Sequence, residues 1–146
     1  MEEKKARWKY RFDNYRRAYF LLQEAIEKQQ EEGLNQLEKE GVIQRFKYTL
    51  ELAWKTLKDF LEEERILLEN ISPRVVIREA FAAKIINNGE TWMEAYDARN
   101  KMSHTYDFQK FEEVVDEIQK KYLNLFGELY ETLGSKAIIQ SCAISN

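Results

Sequence analysis

The chain has few of the residues that interrupt helices or cross-link chains. Among its 146 residues are one proline and five glycines, so long uninterrupted helices are favoured. The single cysteine, Cys142, excludes an internal disulfide framework and predicts a reducing cytoplasm. The chain also has a single histidine, so it cannot form the Cys/His cluster that a structural zinc site needs. We therefore predict no metal and no cofactor. No apolar run reaches the length of a membrane span, and the charged N-terminus predicts no signal peptide.

Basic and acidic residues are nearly equal in number, 23 against 26, but they are unevenly distributed along the chain. The net charge of −3 argues against a protein that coats nucleic acid. Residues 1–17 hold seven basic and three acidic side chains, so a basic end precedes an acidic body. A solvated helix face is the simpler explanation of that end, and contact with RNA or an acidic partner is the other. The length suits a single domain, predicted over residues 1–134, followed by a flexible tail at 135–146.

Amphipathic helical patterns fill most of the chain. Apolar side chains recur at steps of three and four, as in helices packed lengthwise. The patterns predict helices over residues 4–30, 42–67 and 73–86, a fourth from residue 92 to about 103, and a fifth over 108–133. With short connections between them, they predict an all-α, antiparallel up-and-down bundle of four to five helices. The predicted terminal signals are Gly33, Ser72 with Pro73, the capping box Thr91–Glu94, Asp107 and Gly134.

The only histidine lies in the segment Arg99-Asn100-Lys101-Met102-Ser103-His104-Thr105-Tyr106. On one helix, Arg99 and Tyr106 would lie within roughly 20° of each other, whereas His104 would lie roughly 140° from Arg99. Arg99 and His104 therefore serve one site only if the helix ends or bends near Ser103, or if a second subunit completes the site.

These side chains have the chemistry for RNA cleavage without a metal. His104 would deprotonate a ribose 2′-hydroxyl at neutral pH, and the planar fork of Arg99 would stabilise charge developing on phosphorus. The ring of Tyr106 is able to stack on a base. A histidine that only favours a helix C-terminus, at a spacing that arises by chance, is the simpler alternative. Spacing alone favours that alternative.

Arg99 also falls on the stripe of its helix that should be buried. An unpaired charge there is costly, so Arg99 needs a carboxylate, a phosphate or a water-filled cleft. The nearest acids in the sequence are Glu94 and Asp97, and a cleft between two subunits would also meet the need. Elsewhere, Arg74 and Arg78 lie one turn apart on the third helix. They are candidates for phosphate binding, and an exposed basic face without a ligand is the equal alternative.

Several separate segments, in order, resemble one family. The motif from Arg99 to Tyr106 resembles the Arg-x4-His-x-Tyr motif of the HEPN superfamily, in particular HepT-like toxins. The wider pattern is more similar still to the nucleotidyltransferase substrate-binding protein family. The segments that carry it are residues 44–55, Ser72-Pro73-Arg74, residues 77–81, Trp92, residues 97–100 and residues 103–106.

This resemblance implies a HEPN-like homodimer encoded beside a minimal nucleotidyltransferase, in a toxin–antitoxin arrangement. It implies that Arg99 and His104 are the catalytic pair of an RNase, with Asn100 as a neighbour, and that the partner transfers AMP to Tyr106. A second implication stays open: a non-catalytic subunit that binds nucleotide or substrate for its partner. In either case Glu51 and Lys55 would face the site rather than form ordinary surface.

Overall fold

A computed structural model describes residues 6–103 and 107–145, with side chains described as far as residue 138. Within these ranges there is no strand, and the predicted all-α class is confirmed. No helix of the described part is long and apolar enough to cross a bilayer. The elements are α1 (Arg7–Glu32), α2 (Gln36–Glu63), α3 (Pro73–Ala82), α4 (Gly89–Met102), α5 (Phe108–Glu117), a π-helical turn (Ile118–Tyr122) and α6 (Leu123–Ser145).

Helices α1 and α2 form a long antiparallel hairpin. Lys28 pairs with Glu38 next to the connection, and Arg11 pairs with Asp59 at the far end at 2.5 Å. Gly33 ends α1 as predicted, with φ 75° and ψ 165°. That region is essentially restricted to glycine, so Gly33 permits the tight connection.

The predicted start of α2 at residue 42 is wrong by six residues. Asn35 caps the helix, and the capping box is complete: the Glu38 N–H donates to Asn35 Oδ1 at 2.8 Å, and the Asn35 N–H donates to Glu38 Oε1 at 3.1 Å. Gly41, interpreted as part of a connection, lies exposed inside the helix. The helix also ends early, at Glu63, and Arg65 then takes a positive φ of 61°.

The third and fourth helices differ from their predictions mainly at one end. Ser72 caps α3 as predicted, accepting from the Val75 N–H at 3.3 Å, but α3 stops at Ala82 and Lys84 has a φ of 63°. Helix α4 begins at Gly89, three residues before the predicted start. The predicted capping box of Thr91 and Glu94 does not form, because both residues lie inside α4.

Helices α5 and α6 form one continuous rod through the π-helical turn. The rod runs antiparallel to α1, with Tyr15 Oη donating to the Phe126 carbonyl at 2.6 Å. It runs parallel to α2, where Phe46 stacks on Tyr122 with centroids 5.5 Å apart. The aromatic interior sits between these three rods, and its largest fully buried side chains include Trp8, Tyr15, Phe46, Phe60, Trp92 and Phe126.

The predicted helix end at Gly134 is wrong, because α6 continues to Ser145. A Cβ at Gly134 would lie 3.7 Å from Phe12 Cζ, an ordinary contact, so nothing at this position forces a break. Beyond it, Lys136 Nζ reaches to 5.7 Å from the Phe60 ring centroid. The division of the chain at residue 134 stays a prediction.

Candidate functional site

Helix α4, which carries the start of the motif, is tied to its neighbours on several sides. Glu94 Oε2 accepts from Lys121 Nζ at 3.2 Å and from Tyr122 Oη at 3.3 Å in the π-helical turn. Burial and the Glu94 charge raise the pKa of Tyr122 to about 12, so the hydroxyl stays a donor. Asp97 binds Arg74 of α3 at 2.5 Å. These contacts fix where the C-terminal end of α4 lies.

Arg99 is held at that end by a carboxylate from another helix. Its Nη2 lies 3.5 Å from Glu51 Oε2 of α2, and its Nη1 donates to Asn100 Oδ1 at 3.1 Å. The Arg99 side chain is 33% exposed. Of the alternatives predicted for Arg99, a carboxylate, a phosphate or a water-filled cleft, the structure shows a carboxylate. It comes from Glu51, whereas the nearest acids in sequence, Glu94 and Asp97, bind other partners.

Glu51 is itself fixed by two further donors of α2. The Trp54 indole N–H donates to Glu51 Oε2 at 3.0 Å, and Lys55 Nζ lies 3.2 Å from Oε1. Burial raises the pKa of the Glu51 carboxyl, but the Trp54 hydrogen bond, Lys55 and Arg99 outweigh burial and leave the pKa below its ordinary value. Glu51 is therefore ionised at neutral pH and balances the charge of Arg99. We call Glu51, Trp54, Lys55, Arg99 and Asn100 the Arg99 cluster.

Helix α4 ends beside Ser103, inside the motif. Helix α4 stops at Met102, and Ser103 caps it, with Ser103 Oγ donating to the Arg99 carbonyl at 3.2 Å. A helix end near Ser103 was one of the two conditions for Arg99 and His104 to share a site. His104, Thr105 and Tyr106 lie outside the described residues.

Asp107 directly follows the motif in the sequence. Its side chain caps α5 as predicted, accepting from the Gln109 N–H at 3.0 Å. The motif therefore bridges the end of one helix and the start of the next.

The two arginines predicted to bind phosphate have different surroundings. Arg74 is bound to Asp97, and its guanidinium lies 5.2 Å from the Tyr96 ring centroid. Arg78 is exposed and lines a separate pocket between α3 and α4. The structure thus does not bring the pair into one anion site, and phosphate binding by either residue stays a prediction.

The Arg99 cluster has the chemistry of an anion site. Arg99 carries five N–H donors, of which few are used by Glu51 and Asn100, so donors remain for a phosphate. The C-terminal end of α4 is the negative end of its dipole, which Arg99 and Lys101 of the last turn offset. In the described part of the chain, no three His, Cys, Asp or Glu side chains gather as a metal site requires.

Trp54 is the residue of the cluster that sequence reasoning did not place at the site. Its ring is half-buried against the core, and its indole N–H donates to Glu51. The spacing Glu51–Trp54, three residues apart on one helix face, was the available signal.

Comparisons with known proteins identify the family of this chain. The family model described as nucleotidyltransferase substrate-binding protein like matches residues 10–135. The chain belongs to this family. The resemblance drawn from its motifs is thereby confirmed.

One known protein is similar to this family member in sequence, and another is similar in structure. A 73-residue segment is 34% identical to the Probable ribonuclease HepT of Haemophilus influenzae (strain ATCC 51907 / DSM 11121 / KW20 / Rd) and covers 48% of this chain. The match spans 50% of that protein, so the chain aligns with about half the length of this curated relative. The fold is similar to the crystal structure of a protein from Thermus thermophilus, with a TM-score of 0.70, 28% identity, and coverage of 83% of this chain and 97% of that one.

Proposed function

We propose that this family member is a metal-independent endoribonuclease of the HEPN type that acts as a cytoplasmic homodimer. Its activity would be inhibited by a partner protein, a minimal nucleotidyltransferase that serves as the antitoxin. The observation that carries the proposal is the half-exposed Arg99, oriented by Glu51 and Asn100 at a helix end five residues before His104. The likeness to a protein named a probable ribonuclease adds support.

In the proposed reaction His104 takes the proton of a ribose 2′-hydroxyl. The 2′-oxygen attacks the adjacent phosphorus while the bond to the 5′-oxygen breaks, which leaves a 2′,3′-cyclic phosphate on one fragment. Arg99 stabilises the charge that accumulates on the phosphoryl oxygens. The leaving 5′-oxygen takes a proton from the histidine of the second protomer, because each chain has only one histidine.

The test is cleavage of RNA by the pure protein in the presence of EDTA. Arg99→Ala and His104→Ala should each lower the rate by roughly 10²-fold or more, in line with the loss of one transition-state donor or one general base. Arg65→Asn removes an exposed arginine that follows α2, outside the basic end at residues 1–17, and should leave the rate unchanged. Equal activity in all four proteins would place the cleavage in a contaminant and defeat the proposal.

A second function is favoured by the family match itself, whose description is a substrate-binding protein. In that role the chain would bind a nucleotide or a substrate for its nucleotidyltransferase without cleaving RNA. Absence of cleavage by the intact homodimer, together with tight binding to a nucleotidyltransferase, would favour this subunit over the nuclease.

Modification by the partner would link the two roles. We expect Tyr106 to receive AMP from ATP when the chain is mixed with its nucleotidyltransferase, and the nuclease to lose activity in parallel. Mass spectrometry of the peptide that holds Tyr106 measures the transfer, and Tyr106→Phe is the control that should neither gain mass nor lose activity.

A further inference from the structure

A second concave surface lies at the opposite end of α4 from Arg99. It is a pocket of about 450 Å³ between the C-terminal half of α3 and the first turn of α4. This volume lies within the range of about 300–1,000 Å³ that small-molecule sites occupy. From Gly89 to Arg99 helix α4 rises about 15 Å, so a ligand in this pocket would leave the Arg99 cluster free.

The pocket contains one available cation. Arg78 lines it and is exposed, and the Arg78 side chain makes no ion pair or hydrogen bond with any described residue. Arg74, one turn earlier on the same helix, is instead neutralised by Asp97. Glu90 also lines the pocket without pairing with Arg78. A free guanidinium in a concave site matches one phosphate group, which its planar fork binds through two donors.

An aromatic ring stands beside that cation. Phe81 is 51% exposed and follows Arg78 by three residues, so both side chains project from neighbouring positions of α3. One side of the ring is held by the backbone at the start of α4, since a Cβ added at Gly89 would lie 3.2 Å from Phe81 Cγ. No other aromatic ring of the described residues contacts it. An oriented, half-exposed ring is a stacking platform for a nucleobase.

We propose that this pocket binds a nucleoside monophosphate, with the phosphate on Arg78 and the base against Phe81. The side-chain amides of Asn87 and Asn88 line the same pocket and offer donors and acceptors to the base edge or the ribose. Met93 adds apolar wall. A phosphopeptide is the poorer fit, because phosphopeptide sites use clusters of arginines and this pocket has one. The proposal is independent of the nuclease, which uses the other end of α4.

Isothermal titration of the full chain with AMP, adenosine and inorganic phosphate tests the proposal. AMP should bind more tightly than either of its parts. Arg78→Gln should weaken AMP roughly tenfold or more and leave adenosine unchanged, since a charge-assisted contact is lost. Phe81→Leu should weaken AMP and adenosine alike by roughly tenfold, as expected for one lost stacking contact. Both side chains are exposed, and unchanged thermal unfolding of the variants would show that the fold is intact.

Two matched variants separate this pocket from other sources of binding. Arg17→Gln removes the same charge from an exposed position on α1 and should leave AMP affinity unchanged. Arg99→Ala should also leave it unchanged, whatever its effect on RNA cleavage. Loss of AMP binding in Arg99→Ala with retention in Arg78→Gln would overturn the proposal and place the nucleotide at the motif. Absence of AMP binding at millimolar concentration, or phosphate binding as tightly as AMP, would overturn it as well.

Discussion

The Glu51 carboxylate lies 3.5 Å from the Arg99 guanidinium and connects α2 to the last turn of α4. If Arg99 acts on a phosphate, Glu51 positions it without touching the substrate. Glu51→Gln keeps the shape of the side chain and removes its charge. We expect RNA cleavage to slow roughly fivefold, because a half-exposed ion pair contributes about 1 kcal/mol. The rate constant of cleavage at saturating RNA is the measurement.

A matched control for this variant lies on the same helix. Glu63→Gln removes an exposed carboxylate at the end of α2 that has no partner among the described residues, and it should leave cleavage unchanged. An equal loss in both variants would show a general charge effect and contradict the positioning role of Glu51.

The Trp54 indole N–H should make the contribution of Glu51 to stability depend on pH. Because the folded pKa of Glu51 lies below its ordinary value, its contribution is present above that ordinary value and is lost as pH falls through the folded pKa. Trp54→Phe removes the donor and keeps an aromatic ring. The variant should be less stable than the parent at pH 7, and the difference should be smaller at pH 3, because falling pH moves Glu51 towards its protonated form.

Urea unfolding of the two proteins at both pH values measures this difference. Trp92→Phe is the control, since the Trp92 side chain is buried and its indole N–H makes no hydrogen bond with the described residues. Its destabilisation should be the same at both pH values. A pH-independent deficit in Trp54→Phe would assign its effect to packing rather than to the hydrogen bond.

Features of this site that depend on residues close together in the sequence could be predicted, whereas contacts between distant helices could not. The local pattern on α4 predicts that Arg99 lies on a buried stripe and needs a partner for its charge, and the side chain is in fact 33% exposed. The identity of the partner, Glu51, depends on the packing of α2 against α4, and no local pattern contains it. Glu94 and Asp97 were nearer in sequence but project to other neighbours. The resemblance to a family, by contrast, rests on residue types in order and was confirmed by the family model.

Helix boundaries likewise were predicted correctly where adjacent residues determine them and wrongly where packing between helices does. Ser72 with Pro73, Gly33 and Asp107 act through adjacent backbone groups, and their predicted roles are confirmed. Gly41 was interpreted as part of a connection and Gly134 as a helix end, but both lie inside helices. A glycine weakens a helix by about 1 kcal/mol, which the packing of neighbouring apolar residues outweighs.

Two glycines near the α1–α2 connection should respond to alanine with opposite signs. Gly33→Ala places a side chain at φ 75°, ψ 165° and should lower the free energy of unfolding by about 1–3 kcal/mol. Gly41→Ala adds a methyl group inside α2, where no atom lies within 4 Å of the new Cβ, and should raise it by about 0.5–1 kcal/mol. Urea unfolding measures both. A loss of stability in Gly41→Ala would contradict the helical assignment of residues 36–41.

The buried ion pair at the far end of the α1–α2 hairpin should matter more to stability than an exposed pair of the same type. The Asp59 side chain is fully buried and lies 2.5 Å from Arg11 Nε and 3.4 Å from Lys58 Nζ. Asp59→Asn leaves Arg11 without its charge partner and leaves Lys58 with only Glu62, at 3.9 Å. We expect a loss of about 2 kcal/mol, below the 3–5 kcal/mol of fully buried pairs because Arg11 is 34% exposed.

The exposed pair between Asp116 and Lys120, at 2.8 Å, supplies the comparison for this prediction. Asp116→Asn removes the same charge where both side chains are more than half exposed and should cost less than about 0.5 kcal/mol. Replacing both partners, with Arg11→Met and Asp59→Leu together, should recover part of the loss, since the guanidinium that Asp59→Asn leaves unpaired is then absent as well. Equal denaturation midpoints for Asp59→Asn and Asp116→Asn would show that burial of Asp59 contributes nothing to the hairpin. The ion pair would then be an incidental contact rather than one that holds the ends of α1 and α2 together.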